Sequence, residues 1–250
     1  MKKIVIFGGG SGLSNLLTSL KNEPLELNVV VTISDNGGST GRIRDFYNIP
    51  APGDLRRVVV ALSTDESLKE LMNYRFDKQL QKHTVGNLIL AALTDIKGDI
   101  ELAVIDYCKM MGVQQLVLPI SKESLELVAI MKSGVEIIGE SEIAKHPDEI
   151  EKIFYKGDPS SNPNVIEMVK NADGIIFSSG SLYTSIISNL IFTDLAKAIC
   201  QSTAKKIYVS NLMTERGETE TYYLSDHINA IEHHFGGAID DVIVNNNFGL

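Results

Sequence analysis

Apolar residues along this chain fall into short runs rich in valine and isoleucine, which alternate with stretches of helical periodicity. Runs of this kind indicate parallel strands that are buried on both faces. The runs predicted as neighbouring parallel strands are 3–7, 28–33, 174–177 and 206–211, with further strands at 115–120 and 241–246. Helices are predicted between them, at 11–21, 55–63, 67–75, 84–96, 99–111, 164–173, 181–200 and 225–235.

The segment 121–157 interrupts this alternation. Its stretch "LELVAIMKSGVEIIGESEI" has the pattern of a β hairpin with Ser133 and Gly134 at the tip. We therefore predict an α/β fold with a mainly parallel sheet, helices on both faces, and an inserted β hairpin or flap at 121–157. Sheets of this kind bind ligands at the carboxyl ends of their strands, at a topological switch point.

Small, polar or glycine-rich loops follow four of the predicted strands. Glycine lets a backbone approach a ligand closely, and the N–H groups at a helix start attract phosphate. The loops could equally be tight strand–helix junctions or simple helix caps. The first is not a dinucleotide fingerprint, because its third glycine position is Leu13 or Asn15. The four loops, which should open onto one edge of the sheet, are "GGGSG" (8–12), "SDNGGSTGR" (34–42), "SSGSLYTS" (178–185) and "NLMTERGET" (211–219).

Four of the six arginines lie within sixteen positions, in a segment predicted to be a glycine-rich loop followed by a helix. From 42 to 57 the four arginines outnumber two aspartates, so this segment carries +2 in a chain of net charge −9. We expect the loop to line the mouth of a cleft and at least one arginine, Arg42 first, to bind an anion. The alternative is a solvated charged face. The cluster is Arg42, Arg44, Arg56 and Arg57.

Several other residues near these loops have two interpretations. Asp54 is predicted to N-cap the helix that contains Arg56 and Arg57. Positive charge is unfavourable in the first turn of a helix, so these two arginines suggest a counter-anion, either a ligand or an acid such as Asp35. Asp35 and Asp54 could instead hold Mg²⁺ or accept a proton from an attacking hydroxyl. His83 is either a ligand contact or an exposed loop residue, and the amide of Asn87 could recognise a base or a sugar.

Composition restricts the class of protein. An apolar content of 44% in 250 residues suits one large domain or two small ones that share a core. A net charge of −9 disfavours binding to nucleic acid or anionic membrane. No uncharged apolar run reaches 18 residues, and the apolar part of "MKKIVIFGGG" is too short for a signal peptide. Cys108 and Cys200 are predicted to be buried free thiols of a cytoplasmic protein.

Taken together, six motifs resemble those of the YvcK-type gluconeogenesis factors, which belong to a wider group that includes CofD, the 2-phospho-lactate transferase of coenzyme F420 synthesis. The resemblance extends from residue 8 to about residue 229 and implies a single CofD-like domain over 1–250 with a Rossmann-like, three-layer core. The motifs are "GGGSG", "SDNGGSTGRIRD", "IPAPGDLRRVVVALS", "HTVGNLILAALT", "GSLYTSIISNL" and "YVSNLMTERGETE".

The resemblance implies a cleft that binds a nucleotide or nucleotide-sugar, with UDP-N-acetylglucosamine as the expected ligand. It also implies a cytoplasmic regulatory protein linked to cell shape and growth on gluconeogenic carbon sources, with no nucleic-acid partner and no membrane span. A homodimer is expected, and the regulatory partner is not identified. The residues carried over as ligand-lining are Gly8, Gly9, Gly10, Ser11, Gly12, Asp35, Asn36, Gly37, Gly38, Ser39, Arg42, Asn87, Gly180, Ser181, Leu182, Tyr183, Thr184 and Asn211.

An alternative function is a CofD-like transferase that moves a phospholactyl- or phosphoryl-type group from a nucleotide donor with Mg²⁺, using Asp35 and Asp54. A planar deazaflavin acceptor would need aromatic residues, yet these are only 6% of the chain and few lie near the motifs. This favours the regulator. An NAD-dependent oxidoreductase is disfavoured by the failed fingerprint and by the lack of a convincing hydride-transfer set.

The sequence departs from the family pattern in three places. Ser178 and Ser179 replace a Gly-Pro pair, Glu215 replaces a glutamine, and "KHTVGN" replaces "GHSxGN". The chain ends at Leu250, where the family pattern continues, so the resemblance predicts a further C-terminal segment that completes the site.

Overall fold

The computed structural model describes residues 1–246 and contains two sheets. The larger has six parallel strands in the order β3-β2-β1-β7-β8-β9. The four runs predicted to be neighbouring parallel strands are neighbours in this sheet, as expected. Its strands are β1 (Lys2–Gly8), β2 (Leu25–Val31), β3 (Leu116–Pro119), β7 (Gly174–Phe177), β8 (Lys205–Val209) and β9 (Asp241–Ile243).

Helices cover both faces of this sheet, which gives the three layers. On β1, Ile6 packs into one core with α1, α3, α5 and α6, whereas Val5 and Phe7 pack into the other core with α8, α10 and α11. The alternation along a single strand separates the two cores. The helices are α1 (Gly10–Leu20), α2 (Gly38–Tyr47), α3 (Pro52–Leu62), α4 (Glu66–Asn73), α5 (Val85–Lys97), α6 (Ile100–Met110), α7 (Glu140–Ile143), α8 (Pro163–Lys170), α9 (Ser188–Leu190), α10 (Thr193–Gln201) and α11 (Leu224–Phe235).

The segment 121–157 forms the second sheet, which is antiparallel, as predicted. Its strands β4 (Leu127–Met131), β5 (Glu136–Ile138) and β6 (Ile150–Tyr155) are arranged β5-β4-β6. Gly134 has a φ of +84° in the turn between β4 and β5, which is the predicted hairpin tip. The third strand and α7 were not predicted. The insertion packs on the face of the main sheet that carries Val5 and Phe7.

The first part of the arginine-rich segment is helical, so the prediction of a glycine-rich loop was wrong there. Arg42 and Arg44 lie on α2, which is followed by Asn48 as a left-handed C-cap, and the predicted helix after it is α3. Asp54 does not N-cap the next helix, because α3 begins at Pro52, two residues earlier, with Ala51 at the N-cap. Proline is favoured at a helix start since its fixed φ suits the first turn. Asp54 therefore lies inside the first turn and is buried.

Two further predictions need correction or restriction. Cys108 is buried as expected, but Cys200 is exposed, and its thiol donates to the carbonyl oxygen of Gly236. The predicted strand at 241–246 is regular only over β9. The C-terminal segment expected from the resemblance lies outside the described residues. Within residues 1–246, no helix combines the length and the apolar character that crossing a membrane would require.

The predicted helix at 181–200 is not a single helix. It begins with a π-helical segment at Leu182–Ile187 and continues into α9 and α10. This segment is fixed to the end of β2 by buried hydroxyl groups: Oγ1 of Thr32 lies 3.1 Å from Oγ of Ser188, and Ser34 donates to the carbonyl oxygen of Thr184 at 2.9 Å.

Candidate functional site

The carboxyl ends of β1 and β7 meet where the strand order reverses, which is the position where sheets of this topology bind ligands. The loop after β1 packs directly on the loop after β7. A Cβ atom added to Gly8 would overlap Oγ of Ser178, and one added to Gly12 would overlap the carbonyl oxygen of Ser179. These two glycines are therefore required by the packing of one loop on the other.

Gly10 differs from its neighbours because it faces open space. It is the first residue of α1, its φ is +62°, and a Cβ atom there would have no other atom within 4 Å. The N-cap residue, Gly9, has no side chain to cap this helix, and the carboxylate of Asp54 accepts a hydrogen bond from the N–H of Gly10. A helix start leaves backbone N–H groups without intrahelical partners, and these groups attract anions. The start of α1 is thus a position that favours negative charge, and Asp54 already supplies one carboxylate there.

The start of α2 has the same features. Its first residue, Gly38, has a φ of +47° and faces open space, and no side chain in the described part of the chain caps it. Asp35 shapes the turn before it, because its Oδ1 accepts a hydrogen bond from the N–H of Gly37 at 2.8 Å. The N-cap residues of α3 and α10 also make no side-chain cap, whereas those of α4, α5, α6 and α8 do. What sets α1 and α2 apart is that each has a glycine at the N-cap and a positive-φ glycine as its first residue, after the adjacent strands β1 and β2.

A chain of polar side chains runs inward from the start of α2. Oγ of Ser39 lies 2.9 Å from Nδ1 of His83 and accepts a hydrogen bond from Nδ2 of Asn87 at 3.3 Å. Nε of Arg56 donates to Oδ1 of Asn87 at 3.3 Å, and its Nη1 donates to Asn73. Burial lowers the pKa of Arg56 to about 10. The amide of Asn87 is therefore bonded within this network, where it supports the start of α2.

The clustered arginines take separate partners rather than forming one anion site. Nη1 of Arg57 lies 2.7 Å from Oδ1 of Asp54, so its acidic neighbour is Asp54 and not Asp35. Arg44 is buried and pairs with Asp45 at 2.9 Å. Arg57 thus obtains its counter-charge from within α3, one turn away, whereas Arg56 is bonded to the neutral amides of Asn87 and Asn73.

Arg42 and Arg75 bind the same surface turn. Arg42 is exposed and donates to the carbonyl oxygen of Gln81, while Nη1 of Arg75 donates to the carbonyl oxygen of Lys82 at 2.8 Å. Both carbonyls belong to residues with positive φ, 53° and 55°. Arg42 lies one turn beyond Gly38 on α2.

Carboxyl groups crowd the region between the two helix starts. Burial raises the pKa of Asp54 to about 6, with Asp35 adding to this rise and Arg57 opposing it. Burial, together with the charges of Asp35 and Asp54, raises the pKa of Glu140 to about 7. Within residues 1–246, no three or more His, Cys, Asp or Glu side chains are grouped closely enough to hold a metal ion.

Glu140 reaches this region because α7 of the inserted sheet docks on the loop after β2. The N–H of Ser141 donates to Oδ1 of Asn36 at 2.8 Å, and a Cβ atom added to Gly139 would overlap the amide nitrogen of Asn36. Asn36 is thus the point where the insertion is attached to the loop that contains Asp35.

The loop after β7 is held by two side chains from the segment that follows β8. Oδ1 of Asn211 accepts from the N–H of Gly180 at 2.8 Å, and its Nδ2 donates to the Gly180 carbonyl oxygen at 2.7 Å. Oγ of Ser181 donates to Glu218 at 2.6 Å and accepts from the N–H of Thr184 at 3.0 Å. Burial raises the pKa of Glu218 to about 7. Leu182, Tyr183 and Thr184 are themselves buried.

A cavity of about 400 Å³ opens beside this loop, at the carboxyl ends of β8 and β9. Aromatic side chains line it, which corrects the expectation that few aromatic residues lie near the motifs. Tyr208 is the first residue of the motif "YVSNLMTERGETE", and Tyr222 and Tyr223 follow that motif by two and three residues. The lining residues are Tyr208, Ser210, Asn211, Leu212, Met213, Thr214, Tyr222, Tyr223, Leu224, His227, Val244 and Asn245.

Sequence analysis missed two acidic residues of this region. Glu218 lies in the quoted motif "YVSNLMTERGETE", so a carboxylate beside the glycine of that motif was an available signal. Glu140 had no local signal, because it reaches the cleft only through the docking of α7.

Comparisons with known proteins agree with this architecture. A gluconeogenesis factor of Bacillus subtilis is 44% identical over 248 residues, covering 97% of this chain and 78% of the relative. A gluconeogenesis factor of Halalkalibacterium halodurans is 43% identical over 248 residues, covering 97% and 77%. A crystal structure of a UPF0052 family protein from Bacillus halodurans superposes with a TM-score of 0.93 at 42% identity, covering 97% of this chain and 80% of that chain.

The family model described as 2-phospho-L-lactate transferase CofD matches residues 4–248. This match spans nearly the whole chain, including the starts of α1 and α2 and the loop after β7. The chain belongs to the CofD family, and within it is similar to the bacterial gluconeogenesis factors.

Proposed function

We propose that this protein is a nucleotide-sugar-binding regulator whose ligand is UDP-N-acetylglucosamine. The observation that carries the proposal is the pair of helix starts at the ends of β1 and β2, each with a glycine at the N-cap and a positive-φ glycine that faces open space as its first residue. Such starts suit the phosphates of a nucleotide, because helix-start N–H groups and the helix dipole favour negative charge. At α1 the phosphate would take the place of the Asp54 carboxylate on the N–H of Gly10.

The surroundings favour an anion held mainly by backbone groups, with Arg42 as the one arginine of the cluster that contacts it. Arg44, Arg56 and Arg57 already have side-chain partners. The carboxyl groups of Asp54 and Glu140 have pKa values raised to about 6 and about 7, so they repel an incoming phosphate less than ordinary carboxylates would. In this proposal, Gly8–Gly12 and Gly37–Ser39 contact the phosphates.

The regulatory part of the proposal comes from the relatives, two of which are named gluconeogenesis factors. We propose a cytoplasmic homodimer that reports the level of a nucleotide-sugar to a protein partner, and so links cell shape to growth on gluconeogenic carbon sources. The loop after β7 and Asn211 would contact the sugar or the rest of the nucleotide.

A thermal-shift screen followed by calorimetry tests the ligand. The screen would compare UDP-N-acetylglucosamine, UDP, GDP, GTP and NAD. A ligand at 100 times its Kd should stabilise the fold by about 2.7 kcal/mol. Stabilisation by UDP-N-acetylglucosamine and not by NAD supports the proposal. If no uridine nucleotide shifts the melting temperature, the proposed ligand is wrong.

A second candidate is a CofD-like transferase, which the environment of Asp54 favours. Its carboxyl group is buried beside the start of α1 and has a pKa raised to about 6, which suits a general base. Mg²⁺ is commonly bound by one or two carboxylates together with substrate phosphates. Asp35 and Asp54 would supply such carboxylates only with a nucleotide present, since the described residues form no metal site alone.

Product analysis separates the two candidates. The protein would be incubated with each nucleotide, Mg²⁺ and a deazaflavin acceptor, and the nucleotides and the acceptor quantified by chromatography. Unchanged nucleotide and unchanged acceptor with measurable nucleotide binding support the regulator. Nucleotide consumption that is lost in Asp54→Asn, while binding persists, would support the transferase.

A further inference from the structure

We propose that the cavity beside Asn211 holds the base of the bound nucleotide. The proposal rests on the proposed function, because it assigns a second subsite to the same ligand. The cavity volume of about 400 Å³ lies within the range of small-molecule sites, which are mostly apolar with a few polar groups.

The start of α1 and the cavity are linked through the loop after β7. The carbonyl oxygen of Gly9 lies 3.7 Å from where a Cβ of Gly180 would be. Gly180 is in turn hydrogen-bonded through both backbone groups to Asn211, which lines the cavity. In this proposal, a nucleotide with its phosphates at the start of α1 crosses this loop and places its base in the cavity.

The chemistry of the lining suits a neutral ring rather than a phosphate. The described lining residues include no lysine, arginine, aspartate or glutamate. Burial lowers the pKa of His227, which leaves its ring uncharged at neutral pH. A phosphate in this cavity would have no cation to offset its charge, whereas a base requires none.

Aromatic rings in the cavity are held in fixed positions. The hydroxyl of Tyr208 lies 3.1 Å from Nδ1 of His227, and the hydroxyl of Tyr222 lies 2.7 Å from that of Tyr183. The rings of Tyr222 and His227 are 5.7 Å apart and nearly perpendicular, at 88°. Bases bind favourably to the faces of aromatic side chains, and rings that are already fixed lose little freedom on binding.

The mouth of the cavity exposes large apolar side chains close together. Leu212, Met213 and Tyr223 are 79%, 81% and 79% exposed, and all three line the cavity. Scattered apolar residues on a surface are ordinary, but a contiguous apolar mouth around an aromatic cavity is typical of a binding site. A base entering this cavity would cover them.

Two substitutions test the cavity without touching the helix starts. Ser210→Phe places a ring into the cavity and should block the base, while Tyr223→Ala removes an exposed ring. Ser67→Phe, on the exposed side of α4, is the matched control for an added ring. Calorimetry would measure the Kd of UDP, GDP and inorganic pyrophosphate for each variant, with melting temperatures to check folding.

We expect the nucleotide that binds more tightly to wild type to lose affinity about tenfold in Ser210→Phe and Tyr223→Ala. Pyrophosphate should bind all four proteins equally. If the nucleotide affinity is unchanged in both cavity variants, the base lies elsewhere and this inference is wrong, although the proposed function stands. Riboflavin would be titrated into the same proteins as a control ring. If both cavity variants weaken the binding of riboflavin but leave nucleotide binding unchanged, the cavity binds a ring other than the base and the inference is wrong. If neither nucleotide nor pyrophosphate binds wild type, the proposed function fails as well.

Discussion

Asn211 holds Gly180 through both of its backbone groups, accepting from the N–H at 2.8 Å and donating to the carbonyl oxygen at 2.7 Å. A side chain after β8 thereby fixes the loop after β7. Asn211→Asp keeps the acceptor but loses the donor, so a carboxylate oxygen would face the Gly180 carbonyl. We expect a loss of about 1–3 kcal/mol in the free energy of unfolding, measured by urea denaturation, and weaker nucleotide binding. Equal stability of variant and wild type would show that the loop is held by other contacts.

A side chain at Gly10 should weaken binding of the proposed ligand and also lower the stability of the fold. A residue with a Cβ atom at φ +62° costs about 1–2 kcal/mol, although the surrounding space is open. Gly10→Ala should therefore lower stability modestly and weaken UDP-N-acetylglucosamine binding in calorimetry. Gly10→Val should lower stability more than Gly10→Ala, because a branched side chain tolerates positive φ poorly. A Cβ atom at this position therefore costs stability as well as ligand affinity.

Gly236→Ala is the matched control for Gly10→Ala. Gly236 has a φ of +74°, faces open space and ends α11, away from the proposed phosphate site. Both variants should lose similar stability, and only Gly10→Ala should lose ligand affinity. Equal ligand affinities in the two variants would contradict the assignment of α1.

The stability that Glu218 contributes should fall as the pH rises from about 4.5 to about 7. Burial raises the pKa of Glu218 from 4.5 to about 7, so the folded protein binds more protons than the unfolded chain across this interval. The stability that protonated Glu218 contributes is lost as the pH rises through the pKa that this group has in the folded protein. Glu140 and Asp54 act in the same direction.

Glu218→Gln tests this pH dependence, because glutamine can still accept from Ser181 but does not titrate. Chemical denaturation would give the free energy of unfolding of the variant and of wild type at pH 5 and at pH 8. We expect the difference, variant minus wild type, to be roughly 1–3 kcal/mol larger at pH 8 than at pH 5. A difference between variant and wild type that does not change with pH would contradict the raised pKa.

Arg42 remains the arginine predicted to contact the ligand. Arg42→Ala should weaken nucleotide binding by about 1.5–3 kcal/mol at low salt, the range for a hydrogen bond to a charged group. Arg75→Ala is a close control, since Arg75 binds the next carbonyl of the same turn. If both variants bind nucleotide like wild type, Arg42 belongs to a solvated face.

The strands and the positions of the loops could be predicted because parallel strands carry long apolar runs and the loops follow them directly. The helix α2 could not, because Gly38, Ser39, Thr40 and Gly41 have low helix propensity, and the helix is stabilised instead by packing. Gly41, for example, packs so tightly on Asn36 that a Cβ atom would overlap its carbonyl oxygen. The sequence also does not show which polar side chains bond to other groups of the protein. Asn87 and Asn211 both do so, and these hydrogen bonds decide their roles.

The π-helical segment at Leu182–Ile187 has a consequence for how this region tolerates insertions and deletions. Its wide turn accommodates more residues than an α-helical turn would. Deleting one residue there would let an ordinary α-helical turn form and would leave the residues downstream with nearly the same orientation, because the wide turn holds about one residue more than an α-helical turn. Ser188 would then still face Thr32, and the hydroxyl contact after β2 would be kept. A one-residue deletion in this segment should therefore be tolerated better than a one-residue deletion inside a regular α-helix of the same core.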